Sequence, residues 1–462
     1  MRVIAKAGGK FREMFLGESL TARVVRSSSL AMGGFAFSQG LRLLSNLLLT
    51  RILFPEAFGL MALVMVLLSG LSMFSDVGTS QAIQQSKRGD EAIFLNTAFS
   101  IQIARGVLLF LLGCAFAYPV SRFYGEAVLF PMIMVASVQF LFSGFMPTRV
   151  ETANRHLLVG RLTMIDMASQ VISLLIMLAL ALWLRSVWAL VLGGLIGTAN
   201  KVMLSHFFLP GEKNRIAWDP TAFQELFHFG KWIFLSTAFG FIISQGDRLI
   251  LGKFLALDDF GVYVIGFFLG SFPLMVGAAF NGQLLIPVYR DRPPRQSREN
   301  FLKLRKLRTT VSAIIFVLLA ILAFIGPWLV DVMYDDRYLS AGVIVVLLSC
   351  FSFPVVVGMT YDAAALAAGK SSYFFFLSCM SATLTVIGLY FGVQWGGLVG
   401  ALVGKMLGTV ATYPIIVWLA WRLGVWDALH DLAFALIGLA IATAALWWHW
   451  PSIVGLYLGS PV

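Results

Sequence analysis

The sequence predicts an all-α polytopic membrane protein. It is read as two six-helix bundles, related as parallel repeats around a central cavity, with a thirteenth apolar run at the C-terminus. Three observations carry this. Of 462 residues, 59% are hydrophobic and only 12% charged, where a soluble domain is about a quarter charged. Apolar runs long enough to cross roughly 30 Å of hydrocarbon recur from end to end. They lack the dyad alternation of a β-barrel, and in lipid a backbone that must satisfy its own hydrogen bonds is then helical.

Spans are expected near 28–50, 58–80, 94–118, 127–148, 163–184, 187–209, 230–252, 260–286, 309–330, 340–360, 373–392 and 396–420, with the further run at 429–448. A cytoplasmic N-terminus sorts the loop charges. Inner segments then hold 23 Lys/Arg, and outer loops hold five: Arg51, Arg122, Arg185, Lys253 and Arg337. Short loops rich in Lys/Arg stay inside. Eight of the 23 fall in one loop, 288–308. The net charge of +11 therefore reads as topology and contact with anionic membrane lipid, with no nucleic-acid partner. The short outer loops leave no room for a periplasmic catalytic domain.

A shift of 202 residues superposes the two halves. Arg51 falls on Lys253, Leu53 on Leu255, Glu56 on Asp258, and Phe58–Gly59 on Phe260–Gly261. Six helices separate the copies, so both have the same orientation, as in transporters with the substrate path between repeats. The expected division is a cytoplasmic segment 1–27, bundles 28–215 and 216–422, and a C-terminal helix and tail 423–462. The loop 210–225 is the linker.

Cys114, Cys350 and Cys379 sit in apolar runs and read as packing residues. The five histidines form no i, i+4 pair, and no Walker A, HExxH or GxSxG motif occurs. Neither an enzyme nor a bound cofactor or metal is expected. Small residues four apart at Gly193/Gly197, Gly266/Gly270 and Gly400/Gly404/Gly408 predict close helix packing. Pro273, Pro327, Pro354 and Pro414 are expected to kink or end helices.

The informative residues are ionisable groups inside spans: Arg42, Asp76, Arg105, Lys201, Lys231, Asp247, Arg248 and Lys405, with Asp166 near an inner end. A cation at a helix centre costs about 2.5–3.5 kcal/mol, so such groups usually face a wet cavity or a partner. Lys201 and Lys231, nearer span edges, can snorkel. Asp247 and Arg248 point about 100° apart on a helix and pair poorly with each other. They are read either as interfacial residues that fix helix depth, or as a cavity cation (Arg248) with a counter-ion or proton/cation site (Asp247). The first half has Ser45–Asn46 at the matching place. Asn46, Gln81, Asn281 and Gln283 are the polar residues expected to line the cavity.

Several stretches together resemble a known family: FSDVGTSQAIQQ (74–85), RHLLVGRLTMID (155–166), SVWALVLGGLIG (186–197), ELFHFGKWIFLSTAFGFIISQGDRLILGKFL (225–255) and FGVYVIGFFLGSFP (260–273). They are similar to the Wzx-type flippases, in the polysaccharide-transporter branch of the multidrug/oligosaccharidyl-lipid/polysaccharide (MOP) exporter superfamily, nearest the colanic acid exporters. The resemblance covers about 24–420 and implies a MATE-like pair of bundles in a bacterial inner membrane. It also implies oligosaccharides on undecaprenyl diphosphate as cargo, moved by alternating access coupled to H+ or Na+. A polymerase and a chain-length regulator of the same pathway would be partners. Arg42, Arg105, Arg248 and Lys405 would then bind phosphate or acidic sugar, and Asp247 and Asp76 would couple the ion or neutralise those cations. Two alternatives within the superfamily are a drug/cation antiporter and a lipid II flippase. The first fits poorly, because the charge excess inside spans is basic. A membrane glycosyltransferase would need outer-loop carboxylates and Arg on a large domain, for which the short outer loops leave no room.

Overall fold

The computed structural model describes residues 20–75, 78–156, 158–291, 293–367 and 371–458. Every predicted span falls on a helix. In the first half these are α1 (Leu20–Thr50), α2 (Pro55–Phe74), α3 (Thr79–Gln85), α4 (Ala92–Tyr124), α5 (Leu129–Gly144), α6 (Arg149–Arg155), α7 (Val159–Leu184) and α8 (Trp188–Phe208). The second half has α9 (Pro220–Phe254), α10 (Leu257–Gly270), α11 (Phe272–Phe280), α12 (Ile286–Asp291), α13 (Arg298–Met333), α14 (Ser340–Ala367), α15 (Ser371–Leu423), α16 (Ala428–Trp448) and α17 (Trp450–Leu458). Among the described residues, eight helices are long and apolar enough to cross a membrane, or ten if two bent pairs each count as one span.

The chain forms two compact units. Leu67–Thr237 with the segment up to Leu53 makes the first, and Phe54–Val66 with the segment from Ala238 makes the second. Divisions fall inside α2 and inside α9. In the first unit, α7 and α8 meet along the predicted glycine stripe: a Cβ at Gly193 would crowd Met177, and one at Gly197 would strike Ser173. Without a hydrophobic drive between helices in lipid, such backbone approach is what holds them.

In the second unit α14 is the most deeply buried of the apolar helices. Gly266 and Gly270 of α10 pack on Ile344 and Leu348 of α14. The two copies of the hairpin signature also meet in this unit. A Cβ on Gly59 would lie 2.7 Å from the Leu257 carbonyl, and one on Gly261 would collide with the Pro55 carbonyl. The repeated Phe–Gly pair is thus a packing device, with glycine required because the partner is backbone.

Two expectations are corrected. The linker is shorter than 210–225, because α9 already begins at Pro220. Asp219 accepts from the backbone N–H groups of Thr221 and Ala222, and proline suits the first helical position, so helix starts there. Of the prolines expected to kink or end helices, Pro327, Pro354 and Pro414 lie inside α13, α14 and α15. Pro273 does sit at a bend, 41° between α10 and α11. Finally, the basic stretch 288–308 is not one loop: α12 runs to Asp291 and α13 starts at Arg298, N-capped by the Ser297 hydroxyl.

Candidate functional site

The second unit holds a cluster of charge inside its apolar helices. Asp247 on α9 is only 3% exposed. One carboxylate oxygen, Oδ2, accepts from the Tyr263 hydroxyl of α10 at 2.7 Å and from the Lys405 ammonium of α15 at 3.1 Å. A buried carboxylate is costly unless charge and hydrogen bonds offset its desolvation, and here α10 and α15 supply them. Arg248 does not pair with its neighbour's carboxylate through its guanidinium. It donates to Gln245 Oε1 at 3.1 Å and lies 5.3 Å from the centroid of the Phe267 ring. Lys405 Nζ lies 5.2 Å from that same centroid. Phe267 therefore faces two cations, an arrangement that eases their placement among apolar side chains. Arg248 Nε is buried with no hydrogen-bond partner.

The structure brings three of the predicted residues together in this cluster: Asp247, Arg248 and Lys405. Asn281 lies elsewhere in the unit, in the π-helical turn Asn281–Leu285, and donates to the Met359 carbonyl at 2.8 Å. Such a turn inside a helix often marks a functional position. Its Oδ1 is buried without a partner. Gln283 occupies the same turn.

In the first unit Arg105 of α4 donates to Ser75 Oγ at 2.9 Å and to the Ser72 carbonyl at 2.8 Å, near the C-terminal end of α2. A cation at a helix C-terminus is favoured by the dipole and by free carbonyls. Arg42 is exposed on α1, Asn46 is half-buried one turn away, and Gln81 is exposed on α3. Lys201 pairs with Asp166 at 2.8 Å. Asp76 lies outside the described residues, and so does the side chain of Lys231.

Sequence reasoning missed a second buried cluster, where α13, α14, α15 and α16 meet. Arg308, counted above as a loop cation, is 1% exposed. It donates to Thr360 Oγ1 at 3.1 Å, lies over the Tyr361 ring at 3.9 Å, and stands 3.5 Å from Asp431 Oδ1. Asp431 also accepts from the hydroxyls of Tyr361 and Tyr413, the latter at 2.8 Å. Its Oδ1 stands 3.0 Å from His430 Nδ1. Arg305 holds Asp427, the N-cap of α16, with a 2.8 Å bond. Burial pushes the Asp427 carboxyl up, but Arg305 outweighs it, and the group stays below the usual carboxylate range. The signal was present locally: arginines three apart ahead of the ninth span, and Asp-x-x-x-Asp across the start of the thirteenth run. This cluster is closed to ligands and fastens α16 to the unit.

At the polar end of the first unit, Arg88 binds Asp219 at 3.0 Å. Hydrogen bonds from the Thr221 hydroxyl and then from Arg88 hold the Asp219 carboxyl down to about 2. Nearby, Arg155 ties Asp90 to the carbonyls of Ile83 and Ser86.

The comparisons with known proteins agree with this architecture. The family described as "Polysaccharide biosynthesis protein" matches residues 48–343. The amylovoran biosynthesis protein AmsL of Erwinia amylovora is 24% identical over 304 residues, covering 63% of this chain and 76% of that protein. The lipopolysaccharide biosynthesis protein WzxC of Escherichia coli (strain K12) is 20% identical over 393 residues, covering 82% and 77%. Among solved structures, the lipid II flippase MurJ in an inward closed conformation superposes with a TM-score of 0.70 at 13% identity, covering 93% of this chain and 97% of MurJ. With well over half its length matched, the chain belongs to the polysaccharide biosynthesis protein family, as a multi-pass membrane transporter of the Wzx type.

Proposed function

We propose that the chain is a flippase that carries oligosaccharide repeat units, linked to undecaprenyl diphosphate, across the bacterial inner membrane. The product would be an exopolysaccharide, a capsule or the O-antigen of lipopolysaccharide. The single observation that carries this reading is the Asp247–Lys405–Arg248 cluster held among apolar helices. A diphosphate lipid brings roughly two negative charges into an apolar setting, and each charge-assisted bond to a guanidinium or ammonium is worth about 1.5–3 kcal/mol. Arg248 has a free donor for such a contact, and Lys405 has a second claimant in Asp247. Diphosphate arriving at the cations would compete with Asp247 for Lys405. The released carboxylate would then take a proton or a sodium ion, which couples cargo to ion movement by alternating access. Arg42 and Arg105 are assigned as further phosphate or acidic-sugar contacts, with the N-terminus cytoplasmic.

Reconstitution tests it. Vesicles containing the protein and an undecaprenyl-diphosphate tetrasaccharide should expose the sugar to an added periodate probe faster than protein-free vesicles. Arg248→Ala should remove most of that rate. Equal rates with and without protein overturn the flippase reading. Movement of lipid II alone would instead favour the other lipid-diphosphate cargo.

A further inference from the structure

A cleft of about 710 Å³ opens in the second unit beside the α9–α10 turn. Its walls come from the turn (Leu255), the first turn of α10 (Asp259), the start of α14 (Ser340), the break in α15 (Trp395, Gly396, Gly397) and α17 (Tyr457). Three features distinguish it from a lipid-facing groove. First, α15 is interrupted where it lines the cleft: Gly397 has φ 55°, ψ −137° and Gly396 φ −147°, ψ 26°. The i→i−4 ladder is lost there, so backbone polar groups need other partners. Second, Asp259 is the only charged residue among its described lining residues. Third, two aromatic side chains border it, Trp395 at 82% and Tyr457 at 57% exposure, and the Tyr457 ring covers Gly396 so closely that a Cβ there would stand 3.3 Å away.

An acyl chain would leave the carboxylate without a partner. A sugar satisfies both halves of the wall. Its axial C–H face stacks on an aromatic ring, and its hydroxyls donate to a carboxylate and to carbonyls. We infer that this cleft is a saccharide-binding subsite, and that it takes neutral or amino-sugar residues in preference to uronates. The lone carboxylate sets that preference, because a second one beside it would be repelled. The site has no counterpart in the first half: the 202-residue shift puts Ala57 where Asp259 stands. The cleft's role as a resting place for the glycan part of the cargo rests on the flippase reading, but sugar binding does not.

The test uses the full chain in phosphatidylcholine nanodiscs, with cellotetraose, chitotetraose and tetragalacturonate as probes in saturation-transfer NMR. At least one neutral or amino-sugar probe should bind, and tetragalacturonate should bind more weakly. Trp395→Ala should weaken binding about tenfold, while Trp395→Phe, which keeps a ring face, should stay within about threefold. Asp259→Asn should weaken neutral probes and narrow the gap to tetragalacturonate. Equal binding by wild type and Trp395→Ala overturns the inference, and shows an interfacial tryptophan that anchors in lipid. Wild type that binds none of the probes, yet translocates lipid-linked oligosaccharide in vesicles, also overturns it and leaves the flippase reading standing. Sugar binding without translocation does the reverse.

Discussion

Lys405 and Asp247 are 158 residues apart in sequence, and the ammonium of one stands 3.1 Å from the carboxylate of the other. The pair joins α15 to α9 within the second unit, and the Tyr263 hydroxyl shares the same carboxylate oxygen. It is a fastening made of charges, placed where most contacts are apolar.

Breaking the fastening from one side should be worse than removing it. Lys405→Met leaves Asp247 buried without a counter-charge and should cost about 3 kcal/mol of stability. The double variant Asp247→Asn/Lys405→Met should recover most of that loss while transport stays low. Thermal unfolding in nanodiscs, read beside a vesicle transport assay, checks both parts. A double variant that transports at the wild-type rate would remove the pair from the mechanism.

Asp431 should be as sensitive, for a different purpose. Asp431→Asn strands the Arg308 guanidinium, which is 1% exposed, and should loosen α16 at a cost of about 3–5 kcal/mol. Hydrogen exchange across 428–448 should rise. Trp447→Ala on the exposed face of the same helix should change stability by less than about 0.5 kcal/mol.

Arg42→Ala is expected to abolish polymer export at normal membrane abundance, the loss of a charged contact worth about 1.5–3 kcal/mol. Quantifying polymer and membrane-bound protein in the same cells checks it. Wild-type yield would remove Arg42 from the transport path.

Two glycine substitutions separate packing from tolerance. A Cβ at Gly404 would collide with the Gly388 carbonyl, whereas Gly282 has nothing within 4 Å. Gly404→Ala should lower folded yield severalfold, and Gly282→Ala should change stability by no more than about 1 kcal/mol. Detergent-soluble monodisperse yield distinguishes them.

The start of α9 should resist acid. Asp219 ionises at about 2 in the folded chain, below its ordinary value near 3.9. A lowered carboxyl pKa gives stability that is present above the ordinary value and lost as pH falls through the folded one. Exchange protection of the amides of Thr221 and Ala222 should therefore hold from neutral pH to about 4 and fail between about 4 and 2. Asp219→Asn should flatten this response.

How far the sequence could be read follows from the range of each interaction. Spans were legible because length and hydropathy are local properties. Even the interruption of α15 showed, as the gap at 393–395 between the last two spans of the second bundle, directly ahead of Gly396–Gly397. The repeated Phe58–Gly59 and Phe260–Gly261 were legible as a pattern, but not as surfaces that touch. Arg308 was misplaced because sorting by charge assigns every cation between spans to solvent, whereas α13 begins ten residues before it. Asp247 could be singled out as needing a partner. Naming Lys405 required the fold, since sequence distance carries no information about which helix supplies the counter-charge.

The two arms of α15 deserve a mechanical reading. Gly388 faces Gly404, Gly392 faces Gly400, and Gly408 abuts Leu384, so that main chain rests on main chain along the hairpin. Arms in such contact cannot slip in register without collision, and the hairpin behaves as a single beam. Lys405 is bolted to that beam one residue beyond Gly404. By contrast, a Cβ added at Gly246 on α9 would meet only ordinary contact distances, the nearest 3.6 Å to Val386. Lys405 thus sits on an arm whose register is fixed by backbone contact, and whatever separates the pair keeps that register.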